Sequence, residues 1–142
     1  NATYHSALGA VDERLLFARA VQMFMPGKPQ VWYLDLFAGE NNLAAVERAG
    51  SGGHKEINRT NLSADDLEAG LARPVVQRQI DLLRFRNTHP AFGWDAELTA
   101  SGEGSVLILE WSREGHTARL EADLATRAFR ITADGTDLDS QG

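Results

Sequence analysis

Pro26-Gly-Lys-Pro-Gln-Val-Trp-Tyr-Leu-Asp-Leu-Phe-Ala38 is a turn signature followed by a run, Gln30 to Ala38, in which only Gln30 and Asp35 are polar. The run does not alternate polar with apolar, and its bulk suits a strand buried on both faces, the kind found in parallel sheets. Upstream, Leu15, Leu16, Ala20, Val21, Met23 and Phe24 recur at near-helical spacing, with Asp12 and Glu13 where a helix N-terminus favours negative charge. This predicts a helix from Asp12 that stops at Met25, because Pro26-Gly27 follows. Helix, tight turn and buried strand together form one step of a barrel or of a doubly wound sheet.

Downstream, Gly39 to Thr60 is rich in Gly, Asn and charge, with room for a short helix near Leu43 to Arg48. Loops of that length are usually functional or disordered, and the functional reading is favoured here. Ser63 ahead of Asp65 and Asp66 reads as a helix N-cap, and Pro74 fits the first turn of a helix that runs to Thr88 and ends at His89-Pro90. The buried stripe of that helix is expected at Val76, Ile80 and Leu83, with Val75, Leu82 and Phe85 beside them. Past Gly93 the period changes. Ala96 to Thr99, Ser105 to Trp111, Thr117 to Asp123 and Arg127 to Ile131 read as short strands of an antiparallel meander. The expected organisation is therefore an α+β chain: a helix-strand-helix part over 1–92, a small antiparallel β domain over 93–134 and a flexible tail over 135–142.

Composition narrows the function. With 43% hydrophobic and 24% charged residues the chain is globular in character, and no apolar run approaches the roughly 20 residues of a membrane helix. No membrane role is expected. A net charge of −6 leaves no basic field for a phosphate backbone, so no nucleic-acid partner is expected either. The absence of cysteine rules out disulfides and thiolate metal sites and fits a cytoplasmic location. The opening Asn1-Ala-Thr-Tyr4 has neither a methionine nor a signal-peptide pattern and reads as a cut segment. At 142 residues the chain is too short for a complete (β/α)8 barrel of about 250 residues.

Binding groups gather on loops rooted in a rigid sheet, which directs attention to Gly52-Gly-His-Lys-Glu-Ile-Asn-Arg-Thr-Asn61. Lys55, Glu56 and Arg59 are the candidate substrate-binding residues, with His54 and Asn58 in support. Such side chains grip sugar hydroxyls or phosphate oxygens, Arg59 as a planar fork and Lys55 as a point charge. The competing reading is a solvated loop in which Lys55, Glu56 and Arg59 pair only with one another. His5, His54, His89 and His116 lie far apart without metal-ligand spacing, so each reads as a surface or capping residue and no metal site is expected. Asp35, inside the apolar run, needs a partner or a place near the strand's open end, and a structural salt bridge is a simpler role for it than catalysis. Trp32, Tyr33 and Trp111 read as core. No nucleophile elbow, Walker loop or dinucleotide fingerprint is present, so no cofactor is implied.

Seven motifs then occur in one order: Asn1-Ala-Thr-Tyr-His-Ser-Ala-Leu-Gly9, Ala18-Arg-Ala-Val-Gln22, Pro26-Gly-Lys-Pro-Gln-Val-Trp-Tyr33, Ala38-Gly-Glu-Asn41, Glu56-Ile-Asn-Arg59, Arg73-Pro-Val-Val76 and Phe85-Arg-Asn87. In this order they resemble the C-terminal portion of sucrose phosphorylases of the α-amylase clan, glycoside hydrolase family 13, over residues 1–92. The resemblance implies the end of a (β/α)8 barrel, with 12–25 as its seventh helix, 30–38 as its eighth strand and 74–88 as its eighth helix. It also implies retaining glucosyl transfer, in which phosphate and sucrose give α-glucose 1-phosphate and fructose. That chemistry uses a nucleophilic carboxylate and an acid/base carboxylate, with a third acidic residue steadying the transition state. All three are implied to lie upstream of Asn1, so no catalytic residue is assigned to this chain. Where the family has the arginine and aspartate of Gly-Arg-Asp before Ile-Asn-Arg, this chain has Lys55 and Glu56.

The expected function is thus that of an inactive C-terminal fragment of a glucoside phosphorylase whose partners are a sugar and inorganic phosphate. Lysine in place of arginine leaves phosphorylases of sucrose 6′-phosphate, glucosylglycerate or glucosylglycerol open, as well as an α-glucosidase-type hydrolase. A carbohydrate-binding or oligomerisation module is the alternative from another class. Self-association or homodimer formation is expected of a barrel strand cut from its neighbours.

Overall fold

The computed structural model describes residues 1–138. A helical N-terminal part is followed by a five-stranded antiparallel sheet. Two compact units divide the chain: Asn1–Leu16 with Gln30–Ile80, and Phe17–Pro29 with the chain from Asp81 onward.

The first unit holds α1 (Tyr4–Ala7), the start of α2 (Asp12–Phe24), α3 (Tyr33–Leu36), α4 (Leu43–Ala49), a 3-10 helix at Gly53–Asn58, α5 (Ala64–Leu71) and the start of α6 (Pro74–Thr88). Side-chain caps set several of these starts. Thr3 accepts from the Ser6 N–H at 3.1 Å, and Asn42 accepts from the Ala45 N–H at 2.9 Å. Ser63 and Asp66 form a reciprocal capping box at the head of α5. Leu15, Ala38, Val75 and Val76 make the core here, with Leu8, Leu16, Phe37 and Ile80 packed against them.

The strand expected over Gln30 to Ala38 is absent. Gln30 to Trp32 run without a ladder, and α3 follows. A strand exists only if its main-chain groups pair with a neighbour, and every strand among the described residues lies between Glu97 and Asp137, paired within its own sheet. Residues 32–39 satisfy their polar groups locally instead, as in Leu36 N–H to Trp32 at 3.0 Å and Gly39 N–H to Leu34 at 2.8 Å. The expectation that Trp32 and Tyr33 are core residues fails with the strand: they are 49% and 37% exposed.

The second unit combines the later parts of α2 and α6 with the meander β1 (Glu97–Glu103), β2 (Val106–Arg113), β3 (His116–Asp123), β4 (Phe129–Ala133) and β5 (Thr136–Asp137), in that order. Register aligns Leu109 with Leu120 and Leu120 with Ile131, so one face is apolar and buried. The opposite face carries Arg119 between Glu110 at 3.4 Å and Glu121 at 3.0 Å. Glu114-Gly115 and Asp134-Gly135 have positive φ at both residues, the backbone of a two-residue hairpin turn. Thr136–Asp137 therefore pair with β4, within the stretch expected to be a flexible tail; the remainder of that expected tail, 139–142, lies outside the described residues. Trp111 is buried, as expected. The Arg86 guanidinium lies 4.4 Å from the Phe92 ring centre and 4.9 Å from that of Trp111, and burial lowers its pKa.

Candidate functional site

The polar loop forms the 3-10 helix Gly53–Asn58, entered through Gly52 at a left-handed φ of 88°. His54, Lys55 and Arg59 are exposed, whereas Glu56 and Asn58 are half-buried. Arg59 and Glu56 approach to 3.9 Å, an open i,i+3 pair that contributes little. Lys55 makes no ion pair among the described residues. The competing reading of a self-paired loop thus holds for Glu56 with Arg59 and not for Lys55. Chemically the turn offers two cations and one carboxylate to solvent, a set able to bind phosphate oxygens or sugar hydroxyls.

The loop is tied to α3 and to the residues on either side of it. The Trp32 indole N–H donates to the Asn58 carbonyl at 3.0 Å, and the Tyr33 hydroxyl donates to that of Thr60 at 2.7 Å. The Asn42 main-chain N–H donates to the Ile57 carbonyl at 2.8 Å, and its side-chain amide to the Thr60 hydroxyl at 3.3 Å. Arg73, whose role no spacing announces, donates to the carbonyls of Phe37 at 2.9 Å and Ala38 at 3.4 Å and lies 3.6 Å from Asp12.

Other expectations need correction. His5 is no surface residue: it is buried, with its Nε2 3.0 Å from Asp12. Asp35 has its partner, but in place of a salt bridge it accepts from the Tyr4 main-chain N–H at 2.7 Å. His116 and His89 both approach Asp134, at 3.0 and 3.5 Å, and the Thr117 N–H donates to the same carboxylate at 2.8 Å. The hydrogen bond from His116 and then that from Thr117 hold the Asp134 carboxyl below its usual range. His54 is exposed, as a surface histidine should be. Among the described residues no group of three His, Asp or Glu side chains is placed to hold a metal ion, and no helix is long and apolar enough to cross a membrane.

A helical segment leading into a five-stranded antiparallel sheet matches a portion of a solved phosphorylase structure. The chain is homologous to part of the sucrose phosphorylases, the sucrose 6F-phosphate phosphorylases and a glucosylglycerol phosphorylase. It is 57% identical over 132 residues to the sucrose 6(F)-phosphate phosphorylase of Ilumatobacter coccineus, covering 93% of this chain and 25% of that protein. It is 40% identical over 135 residues to the sucrose phosphorylase of Agrobacterium vitis, covering 95% of this chain and 27% of that one. The crystal structure of sucrose 6F-phosphate phosphorylase from Thermoanaerobacter thermosaccharolyticum matches with a TM-score of 0.87 and 37% identity, over 97% of this chain and 28% of that one. The chain thus spans about a quarter of the length of the curated relatives it matches. No protein-family model matches it.

Proposed function

We propose that the chain is the C-terminal portion of a retaining glucoside phosphorylase and supplies part of its substrate subsite, while the catalytic carboxylates lie in a preceding portion. In this reading Lys55, Glu56 and Arg59, with His54 and Asn58, contact the glucosyl unit or the phosphate. The observation that carries it is the exposed Lys55, a cation with no ion-pair partner among the described residues, one turn from an Arg59 only loosely paired to Glu56. A charge already spent in a salt bridge would have less to offer a ligand.

The wider assignments rest on the same reading. Residues 1–92 end a (β/α)8 barrel, with 30–38 carrying α3 in place of the expected strand, and the chain from 93 onward forms a C-terminal β domain. The parent is a cytoplasmic enzyme acting on a sugar and inorganic phosphate. The isolated chain is inactive and self-associates, since Tyr4, Trp32, Tyr33 and Leu43 are exposed. Sedimentation velocity giving a clean monomer at high concentration argues against that association.

Sucrose is the first substrate considered, with sucrose 6F-phosphate the second reading. The 57% identity to a relative of that name favours the second, and so does a lysine point charge, which suits a phosphate group. The test is release of α-glucose 1-phosphate by the parent enzyme from each glucoside, with and without phosphate. Lys55→Ala and Arg59→Ala should each raise KM about 10-fold, the loss of one charge-assisted contact. Unchanged KM in both variants refutes the subsite, and turnover by the isolated chain refutes its inactivity.

A further inference from the structure

We infer that Trp32 and Tyr33 are positioning residues: their polar edges latch the loop that carries Lys55, Glu56 and Arg59. The functional meaning of the latch rests on the subsite proposed above, but its geometry does not. Two aromatic side chains left 49% and 37% exposed are poor core formers. Each, however, ends in one hydrogen-bond donor, and both donors reach main-chain carbonyls of the same short segment, those of Asn58 and Thr60. The rings lie side by side, with centroids 4.9 Å apart, so the two latches act from one place. With the Asn42 N–H on the Ile57 carbonyl, three of the four carbonyls from Ile57 to Thr60 are held from outside the loop.

The loop needs such restraint. A six-residue 3-10 helix exceeds the usual three or four residues, and its own hydrogen bonds are of poorer geometry than those of an α-helix. Gly50, Gly52 and Gly53 at its entry add backbone freedom. The latches, by contrast, are rooted. Leu34, next to Tyr33, is buried, and the Leu36 carbonyl accepts from Gln79 at 2.8 Å. Arg73 holds the carbonyls of Phe37 and Ala38. Trp32 and Tyr33 thus transmit the rigidity of the first unit's core to the turn bearing the two cations, and a ligand contact made by Lys55 or Arg59 depends on that turn being held.

The test uses Trp32→Phe and Tyr33→Phe, which remove a donor and keep an aromatic ring. Hydrogen exchange of the 142-residue chain should speed up across 53–61 by about threefold in each variant and by roughly tenfold in the double variant, as loss of one or two ordinary hydrogen bonds allows. Exchange over Pro74–Thr88 should not change. Tyr33→Phe deletes a single oxygen and so remains informative if Trp32→Phe does not fold. In the parent enzyme the double variant should raise KM for the glucoside with kcat within about twofold. Loop exchange equal to that of the unmodified chain, or acceleration spread equally over Pro74–Thr88, overturns the latch. If exchange rises but Lys55→Ala leaves KM unchanged, the latch stands and the subsite falls; if Lys55→Ala raises KM while loop exchange is unmoved, the latch alone falls.

Discussion

The indole N–H of Trp111 donates to the carbonyl of Phe24 at 2.8 Å, in a buried contact that spans 87 residues of sequence. Both polar groups are out of water, so losing one leaves the other unsatisfied. Trp111→Phe keeps most of the apolar contact and removes the donor. It should destabilise the chain by about 1–3 kcal/mol, the cost of an orphaned buried acceptor. The urea midpoint, followed by circular dichroism, measures this; a shift worth under about 0.5 kcal/mol would mean that water or a rearranged neighbour satisfies the carbonyl.

Arg73 uses both arms of its fork: Nη1 donates to the main-chain oxygens of Phe37 and Ala38, while Nη2 lies 3.6 Å from Asp12. A lysine offers one compact charge and cannot reproduce the fork. Arg73→Lys should therefore cost about 1 kcal/mol and Arg73→Ala about 2 kcal/mol, the latter leaving two carbonyls without their donor. Chemical denaturation of both variants checks the order. Equal stability of the lysine variant and the parent sequence would show that a single charge suffices.

Asp134 sets a pH dependence whose sign follows from its environment. Its folded-state pKa is lowered, first by the hydrogen bond from His116, then by that from the Thr117 N–H, with a smaller contribution from the charge of His89. A carboxyl whose pKa is depressed on folding contributes stability that is present above its unfolded value and lost as pH falls through the folded one. The loss should begin as pH drops below about 4. Asp134→Asn should flatten the unfolding midpoint against pH in that acid range; an unaltered acid limb would show that other carboxylates govern it.

How far the sequence reveals this depends on the kind of signal. The helices at Asp12–Phe24 and Pro74–Thr88 were legible to within about a residue, because Pro26-Gly27, Pro74 and His89-Pro90 punctuate an apolar period. Gln30 to Ala38 was not, since a continuous apolar run fits a strand or a buried helical turn equally until a pairing partner is known. Asp134-Gly135 is a strong hairpin signal that the polar residues around it obscured, and β5 follows from it. At the candidate site the residue types of Lys55, Glu56 and Arg59 stood out at once. The grip of Trp32 and Tyr33 on the loop did not, because which carbonyl an indole or phenol reaches depends on tertiary approach and leaves no periodic trace.

Gly70 sits inside α5, where alanine would ordinarily favour the helix by about 1 kcal/mol. A Cβ at that position would lie 2.4 Å from Cδ1 and 2.9 Å from Cε1 of the Phe37 ring. The clash opposes the propensity gain. Phe37 packs against the cluster of Leu15, Ala38, Val75 and Val76, so its ring has little room to withdraw. Overpacking of this kind costs about 1–3 kcal/mol, so Gly70→Ala should be destabilising by about 1 kcal/mol net. Replacing the ring by a smaller side chain separates the two effects. In a Phe37→Leu background the same Gly70→Ala change should become neutral or stabilising, a double-mutant cycle read from denaturation midpoints. If Gly70→Ala stabilises the chain with Phe37 in place, the ring yields more readily than its packing implies, and α5 is not held at that distance by contact with Phe37.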